Sequence, residues 1–495
     1  MEITDLTPAE RRVWEAFPHG EGVDFRESAD EDPGTGASWG PERTVRAEVL
    51  RALLLDGPSQ NGEIPGLKVW GARITGQLNL RYGTVEHGLR LRSCHFEQPP
   101  QLYGARVPAL VLTDSVLPGL NAGNLHVDMV LRLTCCRIAG HVMLSGAQIH
   151  AFFLNGAQLG SPAAPDAPWP DEPAEPALQL NHAVIGNDVW AAGLVARGEV
   201  RLNDTSVGGQ VNLDDAVLHA PGGTALHAEN LSVGSDLRGM RLRADGRVNL
   251  RGAQIPRQLN LAYARLSNPE GQALRASSCV VGELWLRDAA QIEGTVNLRR
   301  SQLDLLHVPP QVWPDRVRLD GLDYRTLTPH LPPEDRLPLL EREESGYVPY
   351  AYEQLTAAYR TVGDEAAART VQLAKLRRHR RTLPWYARIW GALQDMTFGY
   401  GFRPMRAAGW LLALLLTGTV AFALEHPPPL KADEAPAFNA VFYTLDLLLP
   451  IIGFGQEAAF APQGGYQWLS YLLIVTGWVL ATTIAAGISR SLRRQ

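Results

Sequence analysis

The sequence has 495 residues, 45% of them hydrophobic, with a formal charge of −6 and four cysteines. That length allows several domains, so small a net charge points to no class of partner, and so few cysteines exclude a disulfide-stapled fold. The acidic opening Met1-Glu2-Ile3-Thr4-Asp5, with no apolar run behind it, predicts a chain without a secretory signal and a cytosolic, reduced main body.

Residues 1–60 read as a helical N-terminal region. Thr7-Pro8-Ala9-Glu10 has the spacing of a capping box. Val45, Val49, Leu50, Leu53 and Leu54 fall on one helical face. Between them RESADEDPGTGASWGP (26–41) reads as a flexible loop. Its glycines follow no apolar strand, so they do not make a dinucleotide-binding turn.

Residues 61–326 carry a repeat. In EVRLNDTSVGGQVNLDDAVL (199–218) and RVNLRGAQIPRQLNLAYARL (247–266), apolar-x-apolar is followed by small-x-apolar. The anchors are Leu202, Val207, Leu213 and Leu218, then Leu250, Ile255, Leu261 and Leu266. An earlier block gives Ile74, Leu80, Val85, Leu91 and Phe96. Steps of five and six residues alternate, so the repeat is 11 residues, or 22 for four anchors. A helix cannot hold that spacing on one face. A β-helix can, because each short side turns one large and one small residue inward.

This pattern resembles the pentapeptide-repeat family, in which a central Leu or Phe anchors each side and Ala sits two residues before it. Here Ala72, Ala147, Ala157, Ala216, Ala253 and Ala264 take that slot. The resemblance implies a mainly β fold, a right-handed quadrilateral β-helix. The family's coil has four five-residue sides, so a 22-residue coil predicts an expanded version. About 11 or 12 coils at the ~4.8 Å strand spacing would make a rod of roughly 55 Å. Cys94, Cys136 and Cys279 fall in the small slot and read as buried hydrophobes, while Cys135 points to the other face. Basic and acidic residues balance along the repeat, so neither an acidic DNA mimic nor a nucleic-acid stripe is expected. The proline-rich GSPAAPDAPWPDEPAEP (160–176) predicts an extended tongue.

Residues 327–385 predict a helical linker. PYAYEQLTAAYRTVGDEAAARTVQLAKLRRHRR (349–381) reads as helix, Gly363-Asp364 turn and second helix. Its Tyr352, Leu355 and Tyr359 resemble one tetratricopeptide unit. In 386–495, Ala407–Leu424 and Trp468–Ser489 are uncharged runs near the ~20 residues that cross ~30 Å of hydrocarbon. They predict an all-α membrane module with two spans. Basic flanks and an acidic intervening loop predict the inner cell membrane, with the N-terminal domain and the C-terminus in the cytosol. Arg377, Arg378, Arg380 and Arg381 would meet anionic lipid.

Between the spans, Ala437–Phe454 predicts a re-entrant helix running into Gly453-Phe454-Gly455. This layout resembles the pore of two-span potassium channels. Under that resemblance Ile451, Ile452, Gly453, Phe454, Gly455 and Gln456 align with the filter, and a homotetramer would enclose it. Ile451 departs from the family's threonine and Gln456 from its acid. Asp446 would face the pore or a buried network, and Glu457 its mouth.

The sequence leaves three functions open: a channel-like membrane protein that conducts cations, a membrane-tethered scaffold whose rod meets a protein partner, and an enzyme. The third rests on similarity to bacterial proteins labelled membrane-associated oxidoreductases. No phosphate-cradling loop, Cys/His metal spacing or nucleophile–base pair supports it, so no catalytic residue, metal or cofactor is expected. The repeat register is itself testable. Leu250→Asp should unfold the repeat region, because a charge would be buried between coils; loss of the β circular-dichroism signal and of cooperative melting would show it.

Overall fold

Alternating apolar and polar residues turn every second side chain inward along 67–328, and the chain winds into a mainly β parallel solenoid of about 11 turns with helices at both ends. The structure, a computed structural model, describes residues 5–58, 62–160, 176–382, 384, 404–431, 435–449 and 453–492, and for 404–408 and 481–492 the backbone alone. It divides into two compact units, Met1–Gly363 and Asp364–Gln495.

In the first unit, strands from successive coils add to two parallel sheets. Like stacks on like. Leu67 pairs with Leu89 and Leu89 with Leu110. The same column then runs through Leu131, Phe152, Val189, Val211, Leu237, Leu259, Leu284 and Leu306 to Leu327. On the adjoining side Val45, Ile74 and Phe96 stack in register, as do Leu117, Ile138, Leu159, Ala196 and Leu218. The anchors expected from the repeat are all buried, which a solenoid compatible with a pentapeptide-repeat-like β-helix requires.

The backbone closes each coil at two corners where one residue takes the left-handed conformation. Gly71, Ser93, Asp114, Cys135, Gly156, Gly193, Asp215, Arg241, Tyr263 and Asp288 form one corner column. Tyr82, Gly104, Asn124, Gly146, His182, Asp204, Asn230, Gly252, Ser278, Arg300 and Gly321 form the other. The small slot is the next residue along: Ala72 follows Gly71, Ala216 follows Asp215, and Ala253 follows Gly252. Where a hydroxyl fills the slot it staples two coils, as when the Ser115 hydroxyl donates to the Leu91 carbonyl at 3.2 Å. Cys94, Cys136 and Cys279 are buried in these slots as expected. Burial pushes the Cys94 and Cys136 thiols up to about 12 and that of Cys279 up to about 11. Cys135 occupies the corner itself and is exposed.

Coil length varies. Leu67 to Leu89 is 22 residues, whereas Val211 to Leu237 is 26, because the chain bulges between His219 and Thr224. The tongue expected at 160–176 lies, for 161–175, outside the described residues. The ladder closes across it, Val142 pairing with Leu178 and Phe152 with Val189.

Both ends of the solenoid are covered. Helix α1 (Pro8–Ala16) opens on the expected capping box: the Thr7 hydroxyl accepts from the Glu10 N–H at 3.2 Å, and the Glu10 carboxylate accepts from the Thr7 N–H at 2.9 Å. Glu10 also pairs with Arg46 at 2.8 Å. Val45, expected on a helix, lies instead in the strand Thr44–Arg46, where pairing with Ile74 outweighs helix periodicity. Helix α2 (Ala47–Asp56) starts just after it and buries Val49, Leu50, Leu53 and Leu54. The 26–41 loop is not free: Asp32 pairs with Arg137, and Arg43 stacks on Trp39 at 4.0 Å while binding Glu31 at 2.7 Å. At the other end α3 (Pro333–Glu341) and α4 (Pro349–Thr361) lie against the last coil.

In the second unit the Asp364 carboxylate caps α5 (Glu365–Thr382), accepting from the Ala367 N–H at 2.9 Å. Helices α6 (Pro404–Leu424), α7 (Ala440–Leu448) and α8 (Gly465–Leu492) close around Phe422, Tyr443, Leu447 and Leu473. Leu412, Leu416, Val420, Trp468 and Val475 stay exposed. Among the described residues no helix is long and apolar enough to cross a membrane. The two-span module expected for 386–495 is therefore not shown, although Ala407–Leu424 and Trp468–Ser489 are both helical.

The corner geometry carries a prediction. Gly252 sits at φ +71°, and a Cβ there would lie 2.4 Å from the Asn230 side-chain oxygen of the preceding coil. Gly252→Val should destabilise the solenoid by about 2 kcal/mol, since left-handed backbone alone costs a bulky residue ~1–2 kcal/mol. A lowered urea midpoint for the β signal would register it.

Candidate functional site

The residues singled out for a pore lie in the second unit. Asn439 caps α7, its side-chain oxygen accepting from the Val441 and Phe442 amides at 3.0 and 3.3 Å. In the last turn Asp446 is buried, and its carboxylate gathers the following loop. It accepts from the Phe454 N–H, from the Gln456 N–H at 2.7 Å and from the Glu457 N–H at 3.1 Å. The buried Gln456 side chain accepts from the Asn439 N–H at 3.2 Å and donates to the Ala437 carbonyl at 3.2 Å. Gly455, at φ +80°, makes the turn. Phe454 is exposed with its ring 5.2 Å from that of Phe442. Gly453 and Glu457 are exposed, and Ile451 and Ile452 lie outside the described residues.

A filter turns carbonyls towards an ion. Here amides converge on a carboxylate, which holds a turn. Together with the lack of a membrane-crossing helix among the described residues, this overturns the channel-like, cation-conducting reading. Asp446, expected to face the pore or a buried network, bonds here to the backbone of its own chain. That signal is absent from side-chain patterns.

The second constellation is on the solenoid, where outward residues of successive coils stand in register. Arg201 pairs with His227, His227 with Asn249, Asn249 with Arg275, Arg275 with Asn297, and Asn297 with Arg318. Acids in neighbouring columns hold five of these side chains, all but Asn297. Glu199 binds Arg201 at 2.7 Å and His227 at 3.0 Å. Glu229 accepts from the Asn249 amide at 3.0 Å and lies 3.6 Å from Arg275. At the C-terminal end Glu344 accepts from Thr295 at 3.0 Å and Arg318 at 2.6 Å. Burial pushes the Glu344 carboxyl up, but the bonds from Arg318 and Thr295 and the charges of Arg318 and Arg316 hold it below the ordinary range. Asn249 and Asn297 are buried, so Arg201, His227, Arg275 and Arg318 supply the strip's accessible donors, held in register at multiples of the ~4.8 Å strand spacing. Sequence reading found the anchors behind this strip, not the strip.

Among the described residues no group of three or more His, Cys, Asp or Glu is placed to hold a metal ion. No protein-family model, curated protein or solved structure matches this chain.

The Asp446 nest can be tested directly. Asp446→Ala should destabilise the α6–α8 unit by about 2 kcal/mol, the scale of hydrogen bonds to a buried charge. Amide exchange at Phe454, Gln456 and Glu457 should rise at least about tenfold, and protection unchanged at all three would disprove the nest.

Proposed function

We propose that the protein is a non-catalytic binding scaffold whose solenoid offers the Arg201–Arg318 strip to a protein partner. The observation that carries this reading is the in-register row Arg201, His227, Asn249, Arg275, Asn297 and Arg318, in which Glu199 and Glu229 link the first four rungs and Glu344 holds Arg318. Surface ion pairs contribute little to stability, ~0–1 kcal/mol each. Side chains already held by mutual bonds lose little entropy when a partner docks, which favours recognition. Arg251, Arg299 and Arg316 flank the row and pair with Glu229, Asp320 and Glu344, so the surface is a mixed lattice of both charges that suits a polar partner of complementary pattern. Charge of this kind sets association rate and choice of partner.

The test places a photo-crosslinking residue at exposed Arg251 and, as control, at Gln254, which faces another side of the same coil. A discrete protein adduct is expected from position 251 that disappears with Arg318→Glu and weakens at high salt. Equal adducts from both positions, or none from 251, would sink the scaffold reading.

A further inference from the structure

The last coil is sealed by α3 and α4, and the seal is incomplete. Leu306, Leu322 and Tyr324 of the coil meet Leu340, Ala351 and Leu355 of the helices around a cavity of about 30 Å³. One water needs roughly 10–15 Å³ of such space, so the cavity admits a guest larger than a single water. A second cavity of about 10 Å³ adjoins it and shares Leu327, Arg336 and Leu355.

The polar groups around this apolar space are unusual. Arg336 projects from α3 and is only 4% exposed. Its guanidinium donates to the Val308 carbonyl at 2.6 Å and to the Pro329 carbonyl at 2.7 Å. No carboxylate among the described residues forms an ion pair with it, although a buried charge left without a counterion costs several kcal/mol. A guanidinium carries five donors, and these two bonds leave others over. Trp313 lines the same cavity at 2% exposure, and its indole N–H is a buried donor without a partner. Satisfying the Val308 and Pro329 carbonyls uses two of the Arg336 donors, and neither bond neutralises its charge or gives the Trp313 N–H a partner.

We propose that this cavity binds a small monocarboxylate, acetate in size, with its carboxylate on Arg336 and its methyl group among the leucines. The guest supplies the counterion that the chain does not. A phosphate or sulfate is too highly charged for so apolar a lining, and a neutral guest leaves Arg336 unpaired. The site is separate from the polar strip of the proposed scaffold, so either can fail alone.

The experiment is a thermal melt of the full chain with sodium acetate, against acetamide and against sodium chloride at equal ionic strength. Acetate is expected to raise the midpoint by a few degrees, and acetamide and chloride are not. Arg336→Met should abolish the acetate shift. If that variant does not fold, Ala351→Val, which narrows the cavity and leaves Arg336 in place, must abolish the shift instead. Equal shifts from acetate and acetamide, no acetate shift in the native chain, or a full shift in Ala351→Val would each overturn the proposal, leaving a cavity that holds water alone.

Discussion

The left-handed residue at each corner is the constraint on which the solenoid depends. A parallel strand has to leave one rung and return to the next, and in this chain it turns through one residue with φ near +50 to +70°, followed at once by the inward small slot. If that turn failed, the next side would present its polar face to the core. Glycine, asparagine and aspartate take such backbone cheaply, and they fill much of both columns. Tyr82, Arg241, Tyr263 and Arg300 do not, so these corners are held by what surrounds them. The surroundings are strong: the Tyr82 N–H bonds to the Tyr103 carbonyl one coil on, and the Arg241 N–H to that of Ala262. Each corner is thus pinned by the coil stacked on it.

Stacking also explains where the chain tolerates irregularity. The bulge at 220–223 enters between sides and the ladder closes from Val142 to Leu178, so no anchor changes column. The ends are different, because a terminal rung has no neighbour to bury it. At the N-terminal end Phe17 and the apolar face of α2 do that work. At the C-terminal end, α3 and α4 do it, and the buried Arg336 of α3 also satisfies the Val308 and Pro329 carbonyls.

Much of this was legible in the sequence, and the illegible part has a common cause. The five-and-six spacing gave the anchors, the small slots and the burial of Cys94, Cys136 and Cys279, because burial follows apolar periodicity. The corners were missed because φ leaves only a faint trace, the Gly, Asp or Asn ahead of each small residue. Val45 looked helical since its spacing to Val49 fits both a helix face and a strand running into α2. The 26–41 segment looked free since one contact that ties it down, Asp32 with Arg137, crosses 105 residues of sequence. The Gly-Phe-Gly loop misled for the same reason: a short motif was compared by order, while its geometry is set by Asp446 and three amides.

The division of labour between inward and outward residues is what makes a solenoid suited to binding. Core positions fix the rungs through main-chain pairing and buried columns, so the outer positions can change without disturbing the fold. An outward residue therefore needs a reason of its own to be charged, half-buried and bonded to its counterpart a coil away. The Arg241–Asp215 pair joins two successive rungs at one corner. Glu199, His227, Glu229, Asn249 and Arg275 reach further: Glu199 joins Arg201 to His227, and Glu229 meets His227, Asn249 and Arg275, so the bonds span four rungs. Continuity of that kind adds little to stability but holds a row of donors and acceptors still, and a rigid polar row is what a docking partner can read.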